Sequence, residues 1–320
     1  MSKVLRRLAA AFVFMSGAAS AQDWPKKPVR VVVANSTGSL SDLMARLVFA
    51  RVAEDLGQAF VVENKPGAGG SIAAAEVARA TPDGYTVIYS SDSQFTINPF
   101  IYSKLGYDPL RDFAPVSLTC KITQALYVNS SVGAKTLDDF VRIARASPGK
   151  LAYGSGGNGH ATHLAMELFL WKSNLQLVHV PYKGTGPALQ AAAVGEVSAI
   201  AIAASLAKPF VDQGKLVVLG SIGAPSADVM PGVAPLNRTF PGSEMVSWQA
   251  VFLPAKAPRE IVQALHDAIA RAVASREVAE RLKDGGTHPM SSSPAELAEL
   301  VRTDHARNGE LAKRMNLKVD

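Results

Sequence analysis

Three short segments of this chain bring together groups that could hold a small anion. The first is Asn35-Ser36-Thr37-Gly38-Ser39, between a strand pattern and an amphipathic helix pattern. The second is Gly154-Ser155-Gly156-Gly157-Asn158-Gly159, just before a helix pattern that opens at His160 and includes Thr162. The third is Ser90-Ser91-Asp92-Ser93-Gln94, at the carboxyl end of a strand pattern, where α/β sheets bind ligands. Small residues let a ligand approach the backbone, and the unpaired N–H groups of a helix start attract negative charge. Asn35, Ser36, Thr37, Gly38, Ser39, Ser91, Ser93, Ser155, Gly157, Asn158, Gly159, His160 and Thr162 are therefore the candidate ligand-binding residues. No Lys or Arg stands in Asn35–Ser41 or Gly154–Gly159, so the expected grip on an anion is dipolar rather than ionic. The helix dipole disfavours a cationic His160, which predicts either a neutral imidazole donating into the site or a half-exposed histidine that caps the helix.

Other chemistries find no support. Gly154 to Gly159 matches G-x-G-x-x-G, but the ribose-binding acid expected about 20 residues on is missing, and His179, Val180 and Pro181 stand there instead. His160 and His163 lack a third ligand and the i, i+4 spacing of a zinc protease. Tyr153 stands where the first glycine of a G-x-S-x-G elbow around Ser155 should be. No phosphate-binding G-x-x-x-x-G-K-[ST] occurs, and Asp138, Asp139 and Asp267 read as solvated helix faces. The expectation is a binding protein with no catalytic residue, metal or cofactor. A hydrolase or dehydrogenase is the alternative from another class, and a sensor that presents ligand to a signalling partner is a third.

The elements that must position these loops alternate along the chain. Strand patterns at Arg30–Val33, Phe60–Val62, Tyr85–Tyr89, Leu151–Tyr153, Leu177–Val180, Ser198–Ala201 and Leu216–Leu219 are separated by helix patterns. Leu43, Leu47, Val48, Val52 and Leu56 mark one such helix, closed by Gly57. Thr136 with Asp139, and Ser293-Pro294-Ala295-Glu296, are capping boxes. Alternation of this kind predicts parallel sheets with helices on both faces. Gly223 to Ser247 reads as a long connection.

Composition narrows the class further. The 320 residues are 48% hydrophobic and 19% charged, ample for about two domains with real cores. Lys3, Arg6 and Arg7, the apolar run Leu8–Met15 and Ala19-Ser20-Ala21 form a secretory leader pattern over residues 1–21, with cleavage expected after about Ala21. Formal net charge is +6 for the chain and +3 without the leader, too weak and scattered for nucleic acid. The single Cys120 forms no internal disulfide and reads as a buried small hydrophobe.

Taken together, Trp24-Pro25-x-Lys27-Pro28, Val61-Val62-Glu63-Asn64-Lys65-Pro66-Gly67-Ala68-Gly69-Gly70, Pro82-Asp83-Gly84-Tyr85-Thr86, Asp112-Phe113-Ala114-Pro115-Val116 and Val178-His179-Val180-Pro181-Tyr182-Lys183-Gly184 are distinctive. In these segments the chain resembles the Bug (TctC-like) family of periplasmic receptors that serve tripartite tricarboxylate transporters. The resemblance runs from about Trp24 to the C-terminus. It implies an α/β fold, a two-lobe periplasmic binding protein (Venus flytrap, type II-like) with two crossing hinge strands. One lobe would comprise residues 22–124 plus 248–320, the other residues 125–247. Leu126-Tyr127-Val128 and Ala250-Val251-Phe252 are the expected hinges. The resemblance also implies a small organic acid gripped between the first-strand loop and the glycine loop, membrane-embedded transporter subunits as partners, and a monomeric periplasmic receptor without cofactor. The chain departs from the family pattern at Ala34–Asp42, at His160, and at Ile202-Ala203, where many members carry Asp-Asn. Ala203 joins the candidate site on this ground. Losing that acid favours a mono- or dicarboxylate without an α-ammonium, aromatic acids included.

Overall fold

The computed structural model describes residues 24–223, 230, 232–284, 286–316 and 318. The expected leader lies outside them. Eleven strands form two sheets among the described residues. They are β1 (Val29–Val33), β2 (Phe60–Asn64), β3 (Thr86–Ser91), β4 (Phe113–Ile122), β5 (Gln124–Asn129), β6 (Ala152–Ser155), β7 (Val178–Pro181), β8 (Ala199–Ala203), β9 (Leu216–Ile222), β10 (Ser247–Pro254) and β11 (His288–Pro289). The first sheet runs β11-β4-β10-β3-β1-β2 and the second β7-β6-β8-β5-β9. In each, a parallel core (β2-β1-β3 and β7-β6-β8) meets an antiparallel strand that has come across from the other sheet, β10 and β5 respectively. This is the expected two-lobe α/β fold.

Helices cover both faces of each sheet, as buried parallel strands require. Val29, Val31 and Val33 of β1 pack against Met44, Val48 and Phe49 of helix Leu40–Leu56 and Ile261, Leu265 and Ile269 of helix Arg259–Ala274. Val32 points the other way, toward Ala73, Val77, Leu297 and Val301. The single charge in β1, Arg30, is held at the edge by Glu63 (2.7 Å) and Glu76 (2.5 Å). In the second sheet Leu126 and Val128 join Phe140, Leu164 and Phe169, while Ala125 and Tyr127 join Ala188, Leu189 and Val197. The period-2 alternation of each strand thus feeds two separate cores.

The crossing points differ from the expected hinges. Leu126–Val128 lies inside β5, paired on both sides, and Ala250–Phe252 lies inside β10, paired with β3 and β4. The chain passes between the sheets at Thr123, the one residue separating β4 from β5, and again on entering β10 at Ser247, which pairs with Ile122. The strand β4 escapes a reading by pattern because Pro115 and the buried Ser117 and Thr119 break its apolar run. Its polar groups are paired internally: Thr119 Oγ1 meets the Tyr89 hydroxyl at 2.8 Å.

The capping boxes of helices Leu137–Ala146 and Pro294–Met315 form as expected. The second of these helices packs Leu297 and Val301 on the first lobe and Leu311, Ala312 and Met315 on the second lobe's core. Gly309 lies where it passes the Phe100 ring: a Cβ there would stand 2.6 Å from Phe100 Cζ. Gly309→Ala should therefore lower stability by about 1–3 kcal/mol through overpacking. An exposed helical Gly→Ala would instead gain about 1 kcal/mol. Thermal or urea unfolding of the variant checks the sign.

Candidate functional site

A cleft of about 460 Å³ opens between the two lobes at the carboxyl ends of their parallel strands. Asn35, Ser39, Ser91, Ser93, Asn158, Gly159, His160, Thr162 and Ala203 line it. Ser36, Thr37, Gly38, Ser155 and Gly157 do not; they brace the same loops from behind. Thr37 Oγ1 donates to Asn64 (3.2 Å), and the Gly38 N–H donates to Asp42 (2.8 Å). Ser155 turns inward, 2.6 Å from His179 Nε2, and its Oγ accepts from the Gly157 N–H (3.1 Å).

The first loop is organised by a residue outside the predicted set. Buried Asp42 accepts from the Gly38 N–H, from Asn64 Nδ2 (3.0 Å) and from Arg46 Nε (2.9 Å), while Asn64 also donates to the Asn35 carbonyl (3.0 Å). Burial works against the Asp42 carboxylate, but these donors win and hold its pKa below the usual range. Ser39 caps helix Leu40–Leu56 by accepting from the Asp42 N–H. Asp42 sits three residues after this cap, the spacing of a capping partner, and that is the one signal by which it could have been found.

The second loop is braced by histidine. The Gly159 N–H donates to His163 Nδ1 (3.1 Å), and the His163 ring stacks on His179 at 3.8 Å. Burial, then the neighbouring imidazoles, push His163 down to about 3, so it stays neutral and keeps that acceptor nitrogen. Gly157 has φ 121°, a conformation that suits only glycine. His160 caps helix Ala161–Ser173: its Nδ1 accepts from the Thr162 N–H (3.2 Å) and faces the Thr162 hydroxyl (3.0 Å). Solvent reaches the ring through the open cleft, yet the surrounding walls desolvate it and lower its pKa. With Nδ1 accepting, the proton resides on Nε2, the nitrogen left to donate.

Several N–H groups in these two loops are used internally, those of Gly38, Ser39, Gly156, Gly157, Gly159 and His160 among them. Those of Leu40, Ser41, Asn158 and Ala161 have no acceptor among the described residues, and all four residues line the cleft. No Lys or Arg lines it. The arrangement offers hydrogen-bond dipoles from two helix starts facing one volume, which suits a carboxylate. Another cavity, of about 490 Å³, is bounded by Tyr127, Lys208, Lys283 and His288, and none of the strand-end loops reaches it. The cleft carries the chemistry.

Residues 44–317 match the family described as the tripartite tricarboxylate transporter family receptor. The chain belongs to this family. Its members are periplasmic solute-binding receptors rather than enzymes. A UPF0065 protein from the tcbD-tcbE intergenic region of Pseudomonas sp. (strain P51) is 31% identical over 95% of this chain and 91% of that protein. Protein BugT of Bordetella pertussis is 27% identical over 94% and 93%. Among solved structures, R. palustris Rpa4515 with adipate is 32% identical, with TM-score 0.79 over 92% of this chain and 100% of that one. MatC from Rhodopseudomonas palustris with bound malate is 31% identical, with TM-score 0.75 over 90% and 99%. No helix among the described residues is long and apolar enough to cross a membrane.

The cleft also contains a residue under electrostatic stress. Asp92 is 2% exposed, and burial followed by the nearby Asp304 carboxylate raises its pKa to about 7, against a hydrogen bond from Ser247 and the more distant Arg307. Its folded value exceeds the unfolded 3.8. Its stabilising contribution is therefore complete below pH about 4 and is lost as pH rises toward about 7. Between pH 5 and 8 the ligand-free protein should lose roughly 2–3 kcal/mol more stability than Asp92→Asn. Denaturant titrations at the two pH values test this; equal losses would count against it.

Proposed function

We propose that the chain is an extracytoplasmic receptor that captures a small organic carboxylate and delivers it to the membrane subunits of a tripartite tricarboxylate-type transporter. The carrying observation is that residues with acceptor-free N–H groups, Leu40 and Ser41 from one lobe and Asn158 and Ala161 from the other, line one cleft that has no cationic side chain. In this reading residues 22–124 with 248–320 and residues 125–247 are two jaws that close over the ligand. The leader over residues 1–21 is removed after about Ala21, and the mature monomer works in the periplasm. The ligand carboxylate is held by the N–H groups of Leu40, Ser41, Asn158 and Ala161 and by Asn35, Ser39 and Asn158, while Ser91 and Ser93 line the cleft beside Asp92 and the Thr162 hydroxyl is spent on His160 Nδ1. His160 donates from Nε2. Ser36, Thr37, Gly38, Ser155, Gly157 and Gly159 keep the loops in shape.

Adipate and malate in the related structures support a carboxylate ligand. Ile202 and Ala203, where the family's Asp-Asn pair is missing, give this cleft an apolar wall together with Ile101, Ile122 and Leu206. That wall favours a ligand with a hydrocarbon body, linear or aromatic, over a compact polar acid.

Calorimetry of the mature chain with glutamate, glutarate, adipate, benzoate and terephthalate tests the reading. A true ligand at 100 times its Kd should add about 2.7 kcal/mol of stability. Asn35→Ala and Asn158→Ala should each weaken binding by roughly 10- to 100-fold, the loss of a hydrogen bond to a charged group. Ser155→Ala should act more mildly, through the loop it braces. Turnover of a bound acid by the pure protein, or wild-type affinity in both asparagine variants, would overturn the proposal.

A further inference from the structure

The floor of the cleft, where the chain crosses between lobes, is lined by oxygen acceptors. Asp92 follows β3, Gln124 opens β5, and Ser247 and Gln249 lie on one face of β10. All four line the cleft, and none is more than 5% exposed. They form one cluster: the Asp92 N–H donates to the Trp248 carbonyl (3.1 Å), Gln124 Nε2 approaches Ser247 Oγ (3.4 Å), and Ser247 hydrogen-bonds Asp92. Asp92 Oδ1, Gln124 Oε1 and Gln249 Oε1 are buried with no hydrogen-bond partner. Leaving such atoms unpaired is unfavourable, and three on neighbouring residues of one cleft, with Asn35 Oδ1 of the first loop unpaired as well, point to donors that the ligand brings.

The charges around this floor sharpen the point. Behind Asp92, helix Pro294–Met315 presents Asp304, His305 and Arg307. Arg307 is committed to Asp304 (2.9 Å), which also accepts from Trp248 Nε1 (2.9 Å), and His305 Nδ1 is occupied by the Phe95 carbonyl (2.9 Å). The segments that hold the cluster, Ser93–Thr96, β10 and the start of β5, add no charged side chain. Across the cleft stand His160, held neutral, and Tyr102. Asp92 is thus the one Asp, Glu, Lys or Arg among the residues that line the cleft, and above pH about 7 its charge is negative.

We propose that Asp92 selects the ligand by charge: the ligand carries one carboxylate, held at the two loops, and presents a neutral or cationic hydrogen-bond donor, not a second carboxylate, to the Asp92–Gln124–Gln249 floor. This deepens the receptor reading above and rests on it. A second carboxylate would meet three acceptors and a like charge in a desolvated floor, a built-in rejection of dianions. An ammonium or hydroxyl would satisfy the acceptors instead. On this inference, the absence of the family's acid at Ile202 is compensated from the opposite lobe, and ligands with an amino group return to the candidate set.

The test compares ligands of one length that differ in the charge of the far end: 6-aminohexanoate, 6-hydroxyhexanoate and adipate, with benzoate and terephthalate as a second skeleton. By calorimetry at pH 8, adipate should bind wild type about tenfold or more weaker than 6-hydroxyhexanoate, and terephthalate likewise against benzoate; tenfold is about 1.4 kcal/mol. Asp92→Asn should shift each dicarboxylate-to-partner affinity ratio by about tenfold toward the dicarboxylate. Asp92→Ser provides a second variant, and the wild type alone gives an independent readout. Lowering the pH from 8 to 6 protonates Asp92 and should strengthen adipate relative to 6-hydroxyhexanoate. A dicarboxylate binding wild type at pH 8 as tightly as its partner, or a ratio that neither substitution nor pH moves, would overturn the inference while leaving the receptor reading intact. If no acid in either series binds, the receptor reading itself falls, and this inference with it.

Discussion

On the proposed reading, an anion held without a cation sets the terms for the rest of this molecule. A lysine or arginine at the cleft could find a carboxylate from a loose loop, because a point charge tolerates imprecise placement. Backbone N–H dipoles are weaker and directional, so they work only when several converge at hydrogen-bond distance. That requirement explains why the loops follow β1 and β6, each a strand paired on both sides, and why each leads into a helix whose first N–H groups have no carbonyl to meet. It also explains how much hydrogen bonding is spent on the loops themselves. Asp42 gathers Gly38, Asn64 and Arg46, and His163 takes the Gly159 N–H. Among the amides that remain after this internal pairing are those of Leu40, Ser41, Asn158 and Ala161, all on residues that line the cleft.

The two braces differ in kind, and the difference matters for pH. Asp42 must be ionised to accept from three donors, and those donors hold its pKa low, so the first loop keeps its shape through mild acid. His163 must be neutral to accept from Gly159, and burial against His179 holds it neutral to about pH 3. Both braces therefore resist protonation in mild acid, Asp42 by staying ionised and His163 by staying neutral. Asp92, the remaining ionisable group of consequence, titrates near neutrality at the far end of the cleft. On the proposed reading, the carboxylate grip and the selection at the floor share one cavity but depend on different groups.

Local features of the sequence carried much of this. Thr136 with Asp139 and Ser293 with Glu296 are pairs three residues apart, and each forms the hydrogen bonds its spacing predicts. The strand-to-helix junctions at Asn35–Ser39 and Gly154–His160 were legible because free amides at a helix start are a local property. Which side chain of a junction turns outward was not legible. Ser155 faces inward because His179, 24 residues away, comes to meet it. The strand β4 was hidden because Pro115, Ser117 and Thr119 have partners in β3, β10 and the segment before helix Pro294–Met315, not beside them in sequence. The hinge was placed too far into β5 and β10 for the same reason: a crossing is defined by which sheet a residue pairs with.

The floor of the cleft shows what this long-range assembly can build. Asp92, Gln124 and Gln249 lie on segments separated by 30 residues or more, and none forms a recognisable motif. They meet because β10 returns from the second lobe into the first sheet and runs antiparallel between β3 and β4, laying Gln249 opposite Ser91 and Cys120. The strand crossing that joins the lobes is thus also what brings together the chemistry at the bottom of the cleft. Buried acceptors without donors are destabilising, and a core free of them would be more stable. On the proposed reading, their place at the junction, in the same cleft as the loop amides and the apolar Ile122 and Ile202, makes one cavity offer acceptors, donors and a hydrocarbon wall together. A ligand that matches all three must itself carry a donor, an acceptor and a hydrocarbon body, and the strand crossing supplies the acceptor part of that match.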